Sequence, residues 1–235
     1  MNRAKNNPLV LLASVWVVQL LEKLSKLFKA RLYFGQTGED VIIQKLLKEK
    51  HNPYYVDVGC NHPISLSNTF GLYLQGGKGI CVDANRDMTE IYKRVRPRDV
   101  VLNTLVSDSE TTVDFYMTSN HSMNSASPEF ALKMDQDEIH TVQMETRTLS
   151  SLLEEHLPKG QEIDLLSIDV EGLDFEVLSS LDFDQYRPKV IVVEIHGLDI
   201  SSVQQEENPV VSFLKDRNYT LKYYATMNAY FLRQD

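Results

Sequence analysis

The chain has 235 residues, 43% of them hydrophobic, enough to bury one sizeable core with a short appendage. A net charge of −9 and a pI of about 5.2 argue against broad nucleic-acid binding. Only two cysteines occur, Cys60 and Cys81, so the chain suits a reducing, cytoplasmic compartment with buried thiols better than a disulfide framework, and no CxxC or HExxH pattern marks a zinc site.

The N-terminus departs from the acidic average. Residues 9–21, "LVLLASVWVVQLL", are apolar, but thirteen residues fall short of the roughly twenty a helix needs to cross a bilayer. Arg3 and Lys5 ahead of an apolar run resemble a signal peptide, yet no small-residue cleavage site precedes the basic stretch "EKLSKLFKAR". Leu20, Leu24, Leu27 and Phe28 recur at helical spacing, with Lys23, Lys26 and Lys29 elsewhere around the turn. Residues 1–33 are therefore expected to form an apolar, basic helix ahead of a domain over 34–235. Two readings of residues 9–30 stand: packing on the domain or on a second copy in a homodimer, or peripheral contact with the cytoplasmic membrane face.

From Phe34 the pattern predicts a helix over 38–50, strands at 54–58 and 79–83, a helix over 87–96, and a strand at 99–106. Segments 112–117 and 140–147 alternate apolar and polar residues, as half-exposed strands do. Continuous apolar runs at 163–169 ("IDLLSID") and 189–195 ("KVIVVEI") suit central parallel strands, with a helix over 173–181 between them. The segment "YTLKYYATMNAYFLR" reads as two strands around a turn near Met227–Asn228. This order gives an α/β, Rossmann-like sheet, mostly parallel, with helices on both faces and an antiparallel hairpin at the end. The Ser- and Asn-rich stretch 118–138 is long for a connector and reads as a lid that shapes a pocket.

Ligands of open parallel sheets sit beyond the carboxyl ends of the strands. The first strand ends in Asp57-Val-Gly59 and the second in Asp83, 26 residues beyond Asp57, near the interval expected for an acidic residue that holds ribose hydroxyls. The bland alternative is that Asp83 caps helix 87–96. A dinucleotide would need further glycines after Gly59 so that the backbone could approach its pyrophosphate. Asn61 and Pro63 stand there instead, and Pro63 removes an amide donor. One close approach at Gly59 with polar side chains such as Asp57, Asn61 and Asp169 as cofactor contacts suits S-adenosylmethionine, a nucleoside without a pyrophosphate.

The stretches "FGQTGEDVIIQKLL" (34–47), "VDVGCNHPISLSNTFGLYLQGGKGICVDAN" (56–85), "LVSD" (105–108), "LLSIDVEGLDFEVL" (165–178) and "VVEIHG" (192–197) together resemble the FkbM-type methyltransferases. The "NHP…SNT" form of the first motif looks like a variant of that family. The resemblance implies a class I methyltransferase fold with a seven-stranded sheet and S-adenosylmethionine as cofactor. It implies that Gln36 and Glu39 fold back over the cofactor, with Glu39 near its ammonium, and that Ser107 and Asp108 hold the adenine. Asn68 and Thr69 line the floor or cap the following helix. Asp169 and Glu171 fall just outside the fourth parallel strand, and Glu194 and His196 at the end of the fifth, where methyl group and acceptor meet. Asp169, Glu194 and His196 are the catalytic candidates, with His196 or Asp169 as the base that takes a proton from a hydroxyl. Glu171 stands equally well as a helix-start carboxylate.

The expected activity is O-methylation of a carbohydrate or glycosylated small molecule. The rivals are a nicotinamide-dependent oxidoreductase and a catalytically silent scaffold recruited through the N-terminal helix. The acidic cluster could also hold a divalent cation, although the resemblance does not require a metal.

Overall fold

The computed structural model describes residues 7–30, 32–118, 124–131, 139–195 and 208–234. Its centre is a seven-stranded sheet. The first strand, β1 (Tyr54–Val58), pairs on one side with β2 (Lys78–Asp83), which in turn pairs with β3 (Val100–Asn103), all parallel. On its other side β1 pairs with β7 (Leu165–Ile168), then comes β8 (Val190–Glu194), again parallel. The hairpin of β9 (Tyr219–Ala225) and β10 (Asn228–Arg233) closes the sheet, β10 running antiparallel between β8 and β9. The order β3-β2-β1-β7-β8-β10-β9 reverses direction of growth at β1 and β7, so their carboxyl ends form the crevice where ligands of such sheets bind.

Side chains alternate across each strand and feed two cores. Tyr54, Val56 and Val58 join Leu166, Ile168, Ile191 and Val193 on one face. There they meet α6 (Leu149–His156), α7 (Asp174–Ser179) and α8 (Pro209–Lys215) through Leu153, Val177 and Leu214. On the other face Tyr55, Cys81, Leu165 and Val192 pack with α2 (Glu39–Leu46), α3 (Phe70–Leu74) and α4 (Arg86–Val95). β1, β7 and β8 are buried throughout, as their uninterrupted apolar sequences require. Asn85 caps α4 by accepting from the Asp87 and Met88 amides, and Asn208 caps α8 ahead of a proline at its first position. Cys60 and Cys81 are free and buried.

The strand expected at 99–106 is broken in two. Asn103 Nδ2 donates to the carbonyls of Asp83 and Ala84 (3.0 and 2.8 Å), ending the pairing with β2. The chain then enters a second, three-stranded sheet in which β4 (Leu105–Val106) pairs with β6 (His140–Arg147), and β6 pairs antiparallel with β5 (Thr112–Met117). Within 118–138 only Thr118 and residues 124–131 of the expected lid are described, the latter including the short α5 (Pro128–Ala131). The helix α1 (Pro8–Leu27) packs on α4, and Leu11 and Val15 join the second core. Its opposite face, with Leu9, Trp16, Leu20 and Leu27, is exposed. Among the described residues no helix is long and apolar enough to cross a membrane.

Candidate active site

The turn after β1 is built from close contacts. Gly59 has φ +81°, and a Cβ there would lie 1.7 Å from the Asp169 carbonyl oxygen. Glycine is required because this turn presses on the turn after β7, where the Asp169 amide donates to Val58 O at 3.0 Å. Asn61 follows in the left-handed region (φ +43°), tolerable for Asn, and its amide donates to Asp83 Oδ2 at 2.8 Å. His62 Nδ1 accepts from the amides of Ile64 and Ser65 (3.1 and 3.0 Å), and burial lowers its pKa, so the neutral ring serves as a loop cap. Side-chain acceptors here organise the amides that a glycine-rich loop would leave facing a phosphate.

Asp83 also accepts from the Asn85 amide at 2.7 Å and so ties the turns after β1 and β2 together. The cap of α4 is Asn85, and Asp83 instead lines a cleft of about 860 Å³ including its open mouth. Ala84, Leu105, Val106 and Phe115 form an apolar slot beside Asp83, while Gln36, Gly59, Asn61, Asp169 and Glu171 line the other end. Among the described residues no basic side chain lines the cleft.

Beyond this acidic end lies a smaller chamber bounded by Gln36, Glu39, Asn68, Asp169, Glu194 and Asn228. Glu39 opens α2 and accepts from the Thr37 amide (2.8 Å) and hydroxyl. Asn68 does not cap α3; Ser67 Oγ accepts from the Thr69 and Phe70 amides, and Asn68 Nδ2 donates to Ser167 Oγ at 3.2 Å. Asp169, Glu171 and Glu194 each offer an oxygen, all within 4.8 Å of one another. Burial, then the Glu194 charge, raises Asp169 well above the usual carboxylate range. Burial followed by acidic neighbours brings Glu171 to about 8 and Glu194 to about 7. Asp174, which accepts from the Val170 and Gly172 amides (3.0 and 3.2 Å), fixes the loop that carries Glu171 and is itself raised to about 7, chiefly by burial.

The site thus gathers Gln36, Glu39, Gly59, Asn61, Asp83, Asp169 and Glu194, all expected there from the sequence. Three expected cofactor residues lie outside its lining. Asp57 is buried beneath the turn, where it accepts from Thr69 Oγ1 at 2.6 Å, and burial raises it to about 6. Ser107 and Asp108 follow the lining residues Leu105 and Val106 but do not line the cleft themselves; the Ser107 amide donates to Arg147 O at 3.0 Å, which ties the chain to the end of β6. His196 falls outside the described residues. Phe115 and Asn228 were not singled out by the sequence, since each is brought in by an element distant along the chain; Asp174, inside the motif that carries Asp169 and Glu171, was passed over because its role is to accept the Val170 and Gly172 amides. Arg96 was missed too: wholly buried, it pairs with Asp99 (2.7 Å) and bonds Tyr55, Tyr92 and Thr69, stiffening the floor under Asp57.

A family model described as "Methyltransferase FkbM domain" matches residues 57–221. The chain belongs to the FkbM methyltransferase family. No curated protein sequence matches it significantly. Solved structures similar to this FkbM methyltransferase include an O-methyltransferase from Bacillus cereus in complex with SAH (TM-score 0.44, 12% identity, 94% of this chain and 89% of that one). A precorrin-6y C5,15-methyltransferase from Geobacter metallireducens GS-15 gives a TM-score of 0.43 at 12% identity over 82% and 84%. A TehB-like SAM-dependent methyltransferase from Corynebacterium glutamicum gives 0.39 at 13% over 97% and 100%. The protein is an S-adenosylmethionine-dependent methyltransferase, and its cleft fits the cofactor: an acidic residue beside an apolar slot at one end and, among the described residues, carboxylates without a basic group at the other. That acidic end favours a sulfonium and an ammonium, and opposes a pyrophosphate.

Proposed function

We propose that this enzyme methylates a hydroxyl group of a carbohydrate or glycosylated small molecule. The observation that carries the reading is the acidic chamber beside the cleft, in which Glu194 has a pKa of about 7 next to Asp169. A hydroxyl is a poor nucleophile and reacts when a group titrating near the working pH takes its proton. When bound, S-adenosylmethionine supplies an electrophilic methyl group. Asp83 would accept hydrogen bonds from the ribose hydroxyls, with Gln36 and Glu39 at the methionine end. The acceptor hydroxyl would enter the chamber and pass its proton to a carboxylate oxygen of Glu194 or Asp169. His196, on sequence grounds, is a further proton acceptor at the same strand end. Asn68 and Asn228 add amide groups of the kind that orient sugar hydroxyls.

The test is incubation with labelled S-adenosylmethionine and a panel of saccharides and glycosides, with products read by mass spectrometry and linkage analysis. A methyl ether on a sugar oxygen is expected. Methylation at nitrogen or carbon alone would overturn the hydroxyl reading. Calorimetry with S-adenosylmethionine and NADH separates the rivals: NADH binding alone supports an oxidoreductase, and binding of neither supports a silent scaffold. Glu194→Gln should lower turnover by roughly 10²–10⁴ while retaining cofactor affinity.

A further inference from the structure

We infer that Asp169, Glu171 and Glu194, completed by the Asn228 amide oxygen, form a binding site for a hard divalent cation such as Mg²⁺ or Mn²⁺. Three carboxylate oxygens from two different strand ends lie within 4.8 Å of one another. Ligands facing each other across Mg²⁺ are about 4.2 Å apart, and across Ca²⁺ about 5 Å, so the cluster already has the span of one coordination shell. The carbonyl of Glu171 accepts from Ser125 Oγ at 2.7 Å, and Asp174 holds the amides on either side of Glu171, so the loop is fixed from both sides.

Asn228 points independently to a cation. It stands directly opposite Glu194 in the β8–β10 ladder, which places the two side chains next to each other on one face of the sheet. Only 8% of Asn228 is exposed, and its Oδ1 is buried without a hydrogen-bond donor among the described residues. An orphaned acceptor costs stability unless something positive meets it. Among the described residues, the charged side chains lining this chamber, Glu39, Asp169 and Glu194, are all acidic. A proton shared between Asp169 and Glu194 would relieve their repulsion but would leave Asn228 unsatisfied. A cation answers both. The all-oxygen donor set selects the hard metals over zinc or copper.

The catalytic use of the cation rests on the hydroxyl-acceptor reading; its binding does not. Bound to the cation through the reacting oxygen and a neighbouring one, a vicinal diol would be held for attack. The coordinated hydroxyl would pass its proton to the oxygen of Glu194 or Asp169 that does not face the cation. A new O–C bond then forms as the C–S bond of the sulfonium breaks, leaving a neutral thioether.

The experiment is titration of the chelator-stripped, full-length protein with Mn²⁺ alone, followed by electron paramagnetic resonance of the free ion, with cofactor affinity measured in the same samples. One Mn²⁺ per chain is expected, displaced by excess Mg²⁺ and unaffected by S-adenosylmethionine. Glu194→Gln and the more accessible Glu171→Gln should each weaken Mn²⁺ at least tenfold, and Asn228→Ala several-fold. Absence of Mn²⁺ binding in protein that binds S-adenosylmethionine overturns the cation and leaves the methyltransferase reading intact. Binding that survives Glu194→Gln and Glu171→Gln places the ion elsewhere and overturns the site. Displacement of Mn²⁺ by S-adenosylmethionine assigns the acidic cluster to the cofactor's ammonium and equally overturns it.

Discussion

Asp83 serves two structures with one carboxylate, accepting the Asn61 and Asn85 amides while facing the cleft. Charge-assisted hydrogen bonds of this kind are worth about 1.5–3 kcal/mol each, so Asp83→Ala should lower both cofactor affinity, by at least tenfold, and the melting temperature. Asp83→Asn keeps one acceptor oxygen and should lose affinity with a smaller thermal cost; calorimetry beside a thermal scan reads both. Its position was legible because a strand followed by an acidic residue fixes which end of the sheet it occupies. Arg96 was not legible: its partners Tyr55, Thr69, Tyr92 and Asp99 converge only after three elements pack. Truncating this wholly buried cation to Ala strands Asp99 and should cost about 3–5 kcal/mol in a denaturant titration. The acidic cluster gives a pH dependence of definite sign. Glu194 and Asp174 titrate at about 7 and Glu171 at about 8, against about 4 for an unfolded carboxylate, so between those values the folded state holds more protons than the unfolded one. Their contribution to stability is therefore present in acid and falls as pH rises from about 4 to about 8. The melting temperature at pH 5 should exceed that at pH 8, and Glu194→Gln should flatten the difference.

Among the elements, β1, β7 and β8 were the most legible, because strands covered on both faces carry uninterrupted apolar runs. β3 and β4 were least so. Their shared apolar run hid a break enforced by Asn103, a residue whose side chain bonds back to the end of β2. α1 answers one of its two sequence readings and leaves the other standing. Leu11 and Val15 pack into the core, yet Trp16 and Leu27 are 75% and 76% exposed on the opposite face. A twenty-residue helix is about 30 Å long, so this apolar stripe is larger than scattered surface leucines would give. Lys23 and Lys29 lie beside it, the complement of an anionic headgroup layer. The expected outcome is flotation of the full-length chain with anionic vesicles, weaker with neutral ones and lost in Trp16→Glu/Leu20→Glu. Failure to float, with a dimer in light scattering that the same variant dissociates, would assign the stripe to a second copy.

At the scale of the whole molecule, the site draws on the segment before α2, the turns after β1 and β2, the loops after β7 and β8, and the start of β10. Strand ends mark themselves in a sequence, whereas Asn228 enters from a hairpin whose register only pairing reveals. That hairpin has a consequence for how the protein is made. β9 is synthesised before β10 but lies outside it, so the long edge of β8 has no neighbour until both strands exist and insert together. Until then "KVIVVEI" is a β segment with one open edge, no net charge and no proline, the composition that templates intermolecular stacking. Folding of this enzyme therefore carries a late window of aggregation, which chaperones or low temperature during expression would shorten. A chain stopped at residue 218 should collect in the insoluble fraction and bind an amyloid dye, and adding a Val192→Lys change should return much of that truncated chain to solution without restoring cofactor binding.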